Sequence, residues 1–344
     1  MTERRSSLRE LTMARLRLFF REPSTVFWAF GFPLLLTVAL GVAFRNRPPE
    51  PSNVAIEAGP GAERLLSQIS SPLVKARIED AAAAAKALRS GKAALVVVPG
   101  EPCTYRYDET RPEARLARIL VDDVLQRAAG RPDAFPFADE RVAEAGARYI
   151  DFLVPGLVGL NLMSSGMWGI GYSIVEMRTK KLVKRLLATP MRKSDFLLSF
   201  VLMRALFVAI EVPVLFGFGW IAFGVRVSGS PLLLLGLCFL GAFTFGGIGL
   251  LVASRAQNTQ TVGGLMNLVM MPMFIASGVF FSTSNFPDGM QPLLRALPLT
   301  ALNDALRAVV NDGAVASDVG RPMLVLSAWA ALSYATALRI FRWL

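Results

Sequence analysis

The sequence predicts a mainly α membrane protein with six transmembrane helices and both termini on the cytoplasmic side. A small extracytoplasmic α/β domain separates the first helix from the second. Three observations lead there. Hydrophobic residues make up 53% of the 344, and the mean hydropathy is +0.46, too apolar for an ordinary soluble domain. Six apolar runs are each about long enough to cross roughly 30 Å of hydrocarbon. Most short-loop Lys and Arg lie in the N-terminal segment and in one loop, 176–195, which places both on the cytoplasmic side.

Residues 1–23 carry Arg4, Arg5, Arg9, Arg15, Arg17 and Arg21, while Leu8, Leu11, Leu18 and Phe19 form one imperfect apolar face. The segment reads as an amphipathic helix in the cytoplasmic interface, its arginines toward headgroups, or more simply as a basic flank for the next span. The first span, 24–44, is uncharged and holds Pro33. Its flank and apolar run are longer than those of a cleaved signal peptide, and no A-x-A site precedes Arg45.

Residues 45–149 are polar and punctuated by Pro and Gly. Alternation and breakers predict strands at 53–57, 73–78, 93–98 and 103–107, and helices at 61–70, 79–90 and 112–129. That is enough for a small α/β domain. Gly91-Lys92 lacks the upstream glycine and the Ser/Thr of a phosphate loop. Asp122 and Asp123 read as a solvated helix face.

The second span, 150–174, is rich in small residues that let helix backbones approach, and Asn161 can hydrogen-bond across an interface. The loop 176–195 holds Arg178, Lys180, Lys181, Lys184, Arg185, Arg192 and Lys193 against only Glu176 and Asp195. Within it Leu182, Val183, Leu186 and Leu187 share one side of a short helix. Charge and periodicity leave two readings: a solvated positive-inside loop, or a structured element. The third span is 204–224, extended by 196–203. Arg204 near its start can snorkel to the headgroups. Glu211 lies deeper and should face helices or water, either as a functional group or as an interhelical hydrogen-bond partner.

The fourth span, 231–253, has Gly236, Gly241, Gly246, Gly247 and Gly249, which suggests tight packing. The fifth is 261–281. The connection 282–320 is broken by Pro287, Pro292 and Pro298, and its apolar content suggests helices dipping into the outer interface. The last span, 322–341, ends at Arg339 and Arg342.

Composition also excludes. There is no histidine, so His-based metal sites, general bases and pH switches are absent. Cys103 and Cys238 are far apart and form no metal or redox motif. The net charge of +11 is explained by topology and anionic lipid headgroups without nucleic acid.

Three ordered clusters resemble the type-2 ABC transporter permeases, over nearly the whole chain. Arg21-Glu22-Pro23 resembles that family's entry to the first span. Glu176-Met-Arg-Thr-Lys-Lys with Arg185-Leu-Leu-Ala-Thr-Pro190 resembles the start and end of its loop after span two. Ser277-Gly278, Phe280, Phe286-Pro287, Pro298-Leu-Thr300, Arg307 and Gly313 resemble its fifth span and outer re-entrant hairpin. The resemblance implies a permease of the bacterial inner membrane that binds no cofactor itself. A separate pair of cytoplasmic ATP-binding subunits, carrying ATP-Mg, would dock on a coupling helix at 176–190. It also implies a second permease copy, identical or paralogous. Glu176, Arg178, Lys181, Arg185, Leu186, Thr189 and Pro190 would form the coupling surface, with Leu182, Leu186 and Leu187 filling a groove on the partner. Asn161 and Glu211 would belong to the transport path or an interhelical contact. Gly278, Phe280, Pro287, Pro298 and Arg307 would shape the hairpin. The large external domain resembles the drug-, lipid- or peptide-exporting branch. An ion-coupled secondary transporter would want more intramembrane acids than Glu211. A membrane-anchored sensor or assembly factor would not need six Gly-rich spans.

Overall fold

The computed structural model describes residues 2–43, 51–69, 71–131, 148–188 and 193–341. They fall into two compact units, one of residues 1–45 with 143–344 and one of residues 46–142.

The smaller unit is a four-stranded sheet in the order β2-β1-β3-β4. It comprises β1 (Ser52–Glu57), β2 (Val74–Glu79), β3 (Leu95–Val98) and β4 (Thr104–Arg106). β1 pairs in parallel with both β2 and β3, and β3 pairs antiparallel with β4. The parallel neighbours need crossovers, which α4 (Ala62–Gln68) and α5 (Ala81–Arg89) supply, and α6 (Pro112–Ala128) follows β4. Both faces of β1 are covered, so the strand is a continuous apolar run. Val54 and Ile56 pack with Leu95, Val97, Ala117 and Val121 on one face; Ala55 and Val96 pack with Ala84 and Ala93 on the other. Asp122, read as a solvated residue, accepts a hydrogen bond from the Tyr105 hydroxyl at 3.3 Å. Burial and this neighbouring carboxylate push Tyr105 up to about 12.

The larger unit is helical. α1 (Thr2–Arg21) ends at Glu22, and Pro23 opens α2 (Pro23–Val26) with its fixed φ. A π-helical turn, Phe27–Gly31, leads into α3 (Phe32–Ala43). α1 does not turn all its arginines outward. Arg15 lies 3.4 Å over the Phe200 ring and donates from Nε to Ser199 Oγ at 3.1 Å. The Phe196–Phe200 pair offers a cation–π platform that a periodicity argument over residues 8–20 does not contain.

Among the described residues, five helices are long and apolar enough to cross a membrane: Tyr149–Thr179, Ser194–Phe223, Pro231–Ala253, Thr259–Ala276 and Gly320–Ile340. The sixth apolar segment, Phe27–Ala43, is shorter. The first of the five consists of α7 (Tyr149–Gly166), a π-helical turn at Met167–Tyr172, and α8 (Ser173–Thr179). A six-residue α9 (Leu182–Leu187) follows, then α10 (Lys193–Phe223), α11 (Pro231–Ala253) and α12 (Thr259–Ala276). After α12 come α13 (Gln291–Ala296), α14 (Pro298–Asn311) and α15 (Gly320–Ile340).

Small residues set the packing. α11 approaches α7 and the π-helical turn after it through glycine: a Cβ on Gly249 would meet Met167 Cα at 2.9 Å, and one on Gly166 would meet Phe245 Cβ at 3.0 Å. Gly236, grouped with these by sequence, has nothing within 4 Å of its Cβ position. α14 is sunk among the spans, with Leu299, Leu302, Asn303, Leu306, Val309 and Val310 all buried. Its neighbour α7 makes room with Gly159, where a Cβ would run into Asn303 Oδ1.

A methyl group at Gly159 therefore has nowhere to go, because the Asn303 amide is held to the Ser277 carbonyl at 3.1 Å. Gly159→Ala is expected to lower stability by about 1–3 kcal/mol through overpacking. Gly236→Ala, facing open space, is expected to be neutral. Thermal unfolding in one detergent compares the two; equal effects would contradict the close packing of α14 on α7.

Candidate functional site

Three sets of side chains carry the chemistry: the basic loop after α8, a polar tie in the helical core, and the contacts of α14. The loop is built from its backbone upward. α8 closes with the Thr179 hydroxyl donating to the Glu176 carbonyl at 2.8 Å. Lys181 then turns the chain at φ 56°, a left-handed conformation uncommon for a side chain other than glycine. α9 follows. Its Val183 is buried with Ile174, Phe196, Phe200 and Leu250, and Leu186 packs on the same cluster. Lys180, Lys181, Leu182, Lys184 and Arg185 are exposed. The result is a short helix pinned by one apolar edge, with a cationic face turned outward.

Two expectations change here. Arg178 points inward rather than toward a partner: its Nη1 donates to the Ala253 and Ala256 carbonyls at 3.3 and 2.9 Å, and its guanidinium lies 5.3 Å from the Phe341 ring centre. The Ala253 carbonyl is the last of α11 and lacks a helical donor, and Ala256 lies just beyond the helix, so an arginine satisfies both well. Leu186 also faces the protein, which leaves Leu182 as the outward apolar residue among the described side chains of α9. Glu176 takes Lys180 Nζ at 2.8 Å, one helical turn on, and this holds the ammonium above its usual range. Thr189 and Pro190 lie outside the described residues, as does the Leu187 side chain.

The polar tie corrects a third expectation. Arg204 does not snorkel; it is 9% exposed and its Nη1 donates to Glu211 Oε2 at 3.0 Å. Residues seven apart sit two turns on along one helix face, so the pairing is within reach. Glu211 also accepts from Asn161 Nδ2, and the same amide donates to the Ala29 carbonyl at 3.2 Å. The tie thus joins α10, α7 and the π-helical turn before α3. Hydrocarbon offers no water for these groups, so each must find its partner inside the protein.

The third set gathers around Arg307. Its Nε donates to the Phe152 carbonyl at 3.1 Å, its Nη2 to the Gly278 carbonyl, and its guanidinium stacks 3.5 Å over the Phe152 ring. Gly278 turns at φ 70°, and the Phe280 carbonyl accepts from Tyr149 OH at 3.0 Å. Pro298 opens α14. Pro287 begins a separate 3-10 turn, Asp288–Met290, and is not part of the Arg307 contacts. Sequence reasoning missed Arg148. It grips Asp151 through two nitrogens, at 2.7 and 2.9 Å, and donates to the Phe223 carbonyl at 2.9 Å. The Arg-x-x-Asp spacing was its available signal.

A family model described as "ABC-2 family transporter protein" matches residues 23–339. Among curated proteins, the chain is 25% identical over 186 residues to the "Linearmycin resistance permease protein LnrN" of Bacillus subtilis, covering 51% of this chain and 46% of that protein. It is also 25% identical over 198 residues to "Nodulation protein J" of Bradyrhizobium diazoefficiens, covering 57% of this chain and 75% of that protein. The match thus spans about half the length of the first relative and three quarters of the second.

The geometry of the tie gives an asymmetric prediction. Glu211→Gln leaves a buried guanidinium without its counter-charge and is expected to cost on the order of 3–5 kcal/mol. Replacing both partners, Arg204→Met with Glu211→Leu, should recover most of that loss. Unfolding temperatures of the three proteins decide it; a tolerated Glu211→Gln would mean the pair contributes little.

Proposed function

The chain belongs to the ABC-2 family of transporter proteins, and on that premise we propose that it is the membrane-spanning permease of an ATP-driven export system. The observation that carries the reading is the loop after α8. A helix this short is unstable alone. Here it is fixed to the ends of the spans by Val183, while Arg178 ties the end of α8 to the end of α11. A push on its outer face is therefore passed to the spans instead of being lost in a floppy loop.

The partner would be a cytoplasmic ATP-binding subunit, docking on the cationic face of Lys180, Lys181, Lys184 and Arg185 around Leu182. Glu176 would act by setting Lys180, and Arg178 by holding the lever rather than by touching the partner. The working unit would contain two permease copies and two ATPase subunits, with ATP-Mg bound by the latter. A second copy has a surface to use: α12 leaves Leu268, Met271 and Ile275 widely exposed. Placing the basic loop and both termini in the cytoplasm makes Phe27–Ala43 the first of six spans in a bacterial inner membrane, and residues 45–149 extracytoplasmic. The segment between α12 and α15, with α14 sunk beside α7, would form the outer re-entrant hairpin.

The cargo we propose is hydrophobic or amphipathic. A relative named for resistance to a compound supports export of a drug-like molecule.

The test is co-purification. The intact protein, extracted from membranes of its native cell, is expected to bring down an ATPase. Lys184→Glu with Arg185→Glu changes only exposed residues and should reduce the recovered activity at least about tenfold, since like charges at a docking face cost several kcal/mol. An intact protein that brings down no ATPase, yet moves substrate under an ion gradient, would replace this reading with a secondary transporter.

A further inference from the structure

Asn267 lies at the middle of α12 (Thr259–Ala276), about 12 Å from either end of the helix at 1.5 Å per residue. Its side chain is exposed and has no hydrogen-bond partner among the described residues. Away from the ends of the five long helices, it is the only exposed amide or charged side chain among the described residues. The other such groups inside the spans, Asn161, Arg204 and Glu211, are buried and bonded to one another. The surface around Asn267 is otherwise apolar. Gly264, Met271 and Ile275 follow it on one side of the helix at spacings of three and four, with Leu268 beside them. Leu268, Met271 and Ile275 are 70%, 58% and 63% exposed. Nothing lies within 4 Å of the Cβ position of Gly264, so a second backbone can come close there. Of the five long helices, α12 is the least covered by the rest of the chain.

An amide turned toward hydrocarbon at mid-depth forfeits its hydrogen bonds, which is costly. It therefore faces water or another protein surface. Water suits the amide but not the wide apolar residues on either side of it, whereas a protein surface suits both. Symmetry and depth then say which surface. Copies of one membrane protein insert with one orientation, so a two-fold axis relating two of them runs along the membrane normal and residues at equal depth meet. At this depth the described residues of each copy offer one exposed amide. An amide has donors and an acceptor together, so it complements its own counterpart; a carboxylate or an ammonium there would repel it. We propose that a second copy of this same chain covers α12, with α12 against α12 and the two Asn267 amides paired by reciprocal N–H···O bonds. A lone polar group in an apolar seam sets the register, since any slip leaves both amides in hydrocarbon. The inference rests on the reading of the chain as a two-copy permease. It adds that the copies are identical and which residues meet.

The full-length protein carrying Cys103→Ser and Cys238→Ala is reconstituted in liposomes and oxidised. Met271→Cys in that background, one turn from Asn267 on the same face, is expected to give a disulfide-linked dimer, because counterparts beside a two-fold axis come within bridging distance. Leu332→Cys, 62% exposed near the middle of α15, is not. Affinity is read by energy transfer between donor- and acceptor-tagged copies as lipid dilutes them. Asn267→Leu keeps an apolar surface and should weaken self-association about 3- to 30-fold, the scale of hydrogen bonds between membrane helices. Asn267→Gln keeps an amide and should lose less. Failure of Met271→Cys to cross-link while an ATPase still co-purifies would overturn the α12 contact and leave the export reading standing. A cross-linked protein that brings down no ATPase would support the contact and count against the export reading alone. Unchanged self-association of Asn267→Leu would overturn the amide pair and assign that amide to water or cargo. A protein that pairs only when a different permease chain is co-expressed would overturn the identity of the copies.

Discussion

The last carbonyls of a membrane helix have no intrahelical donor, and hydrocarbon offers none. Three arginines answer this need, each reaching from a different element to the end of a span. Arg148 serves the end of α10 at Phe223, Arg178 serves the end of α11 at Ala253 and the chain just beyond it at Ala256, and Arg307 serves the residues after α12 at Gly278 and Val279. Each bond is favoured twice, by hydrogen bonding and by the negative end of the helix dipole. The same three contacts lock neighbouring elements together. Arg148 and Arg307 tie α7 and α14 at one end of the bundle. Arg178 ties α8 at the other.

This division of the arginines explains how a very basic chain uses its charge. Those of the caps and of the Arg204–Glu211 pair point inward and fix geometry. Arg185 of α9, with Lys184 beside it, points outward and remains available to a partner. The lever rests on the difference: an outward face transmits force only if the element beneath it is held, and here Val183 and the Arg178 cap hold it. A rigid element joined directly to a span is what the proposed ATPase partner would need in order to move helices.

Much of this was legible in the sequence. In the small domain, strands and helices fall within about two residues of where alternation, Pro and Gly place them, because those signals act locally. Pro112 opens its helix and Gly130 follows the end of it. The apolar runs located the long helices for the same reason. What could not be read was who meets whom. Arg178 looked like a docking residue because charge next to a loop is ambiguous; its acceptors are 75 and 78 positions away. Arg204 looked like a snorkelling residue, since its distance from the loop is short and only the i+7 relation to Glu211 hinted otherwise. The π-helical turns at Phe27–Gly31 and Met167–Tyr172 leave no trace in hydropathy.

The central claim is that the outward face of α9 is where an ATP-driven partner pushes. The most direct measurement places a photo-crosslinking amino acid at position 184, exposed on that face, in membranes of the native cell. Illumination with and without a non-hydrolysable ATP analogue then identifies the adducts. The account predicts a covalent adduct with an ATP-binding protein, its yield changed by the nucleotide. Adducts with lipid alone, identical in both conditions, would contradict it.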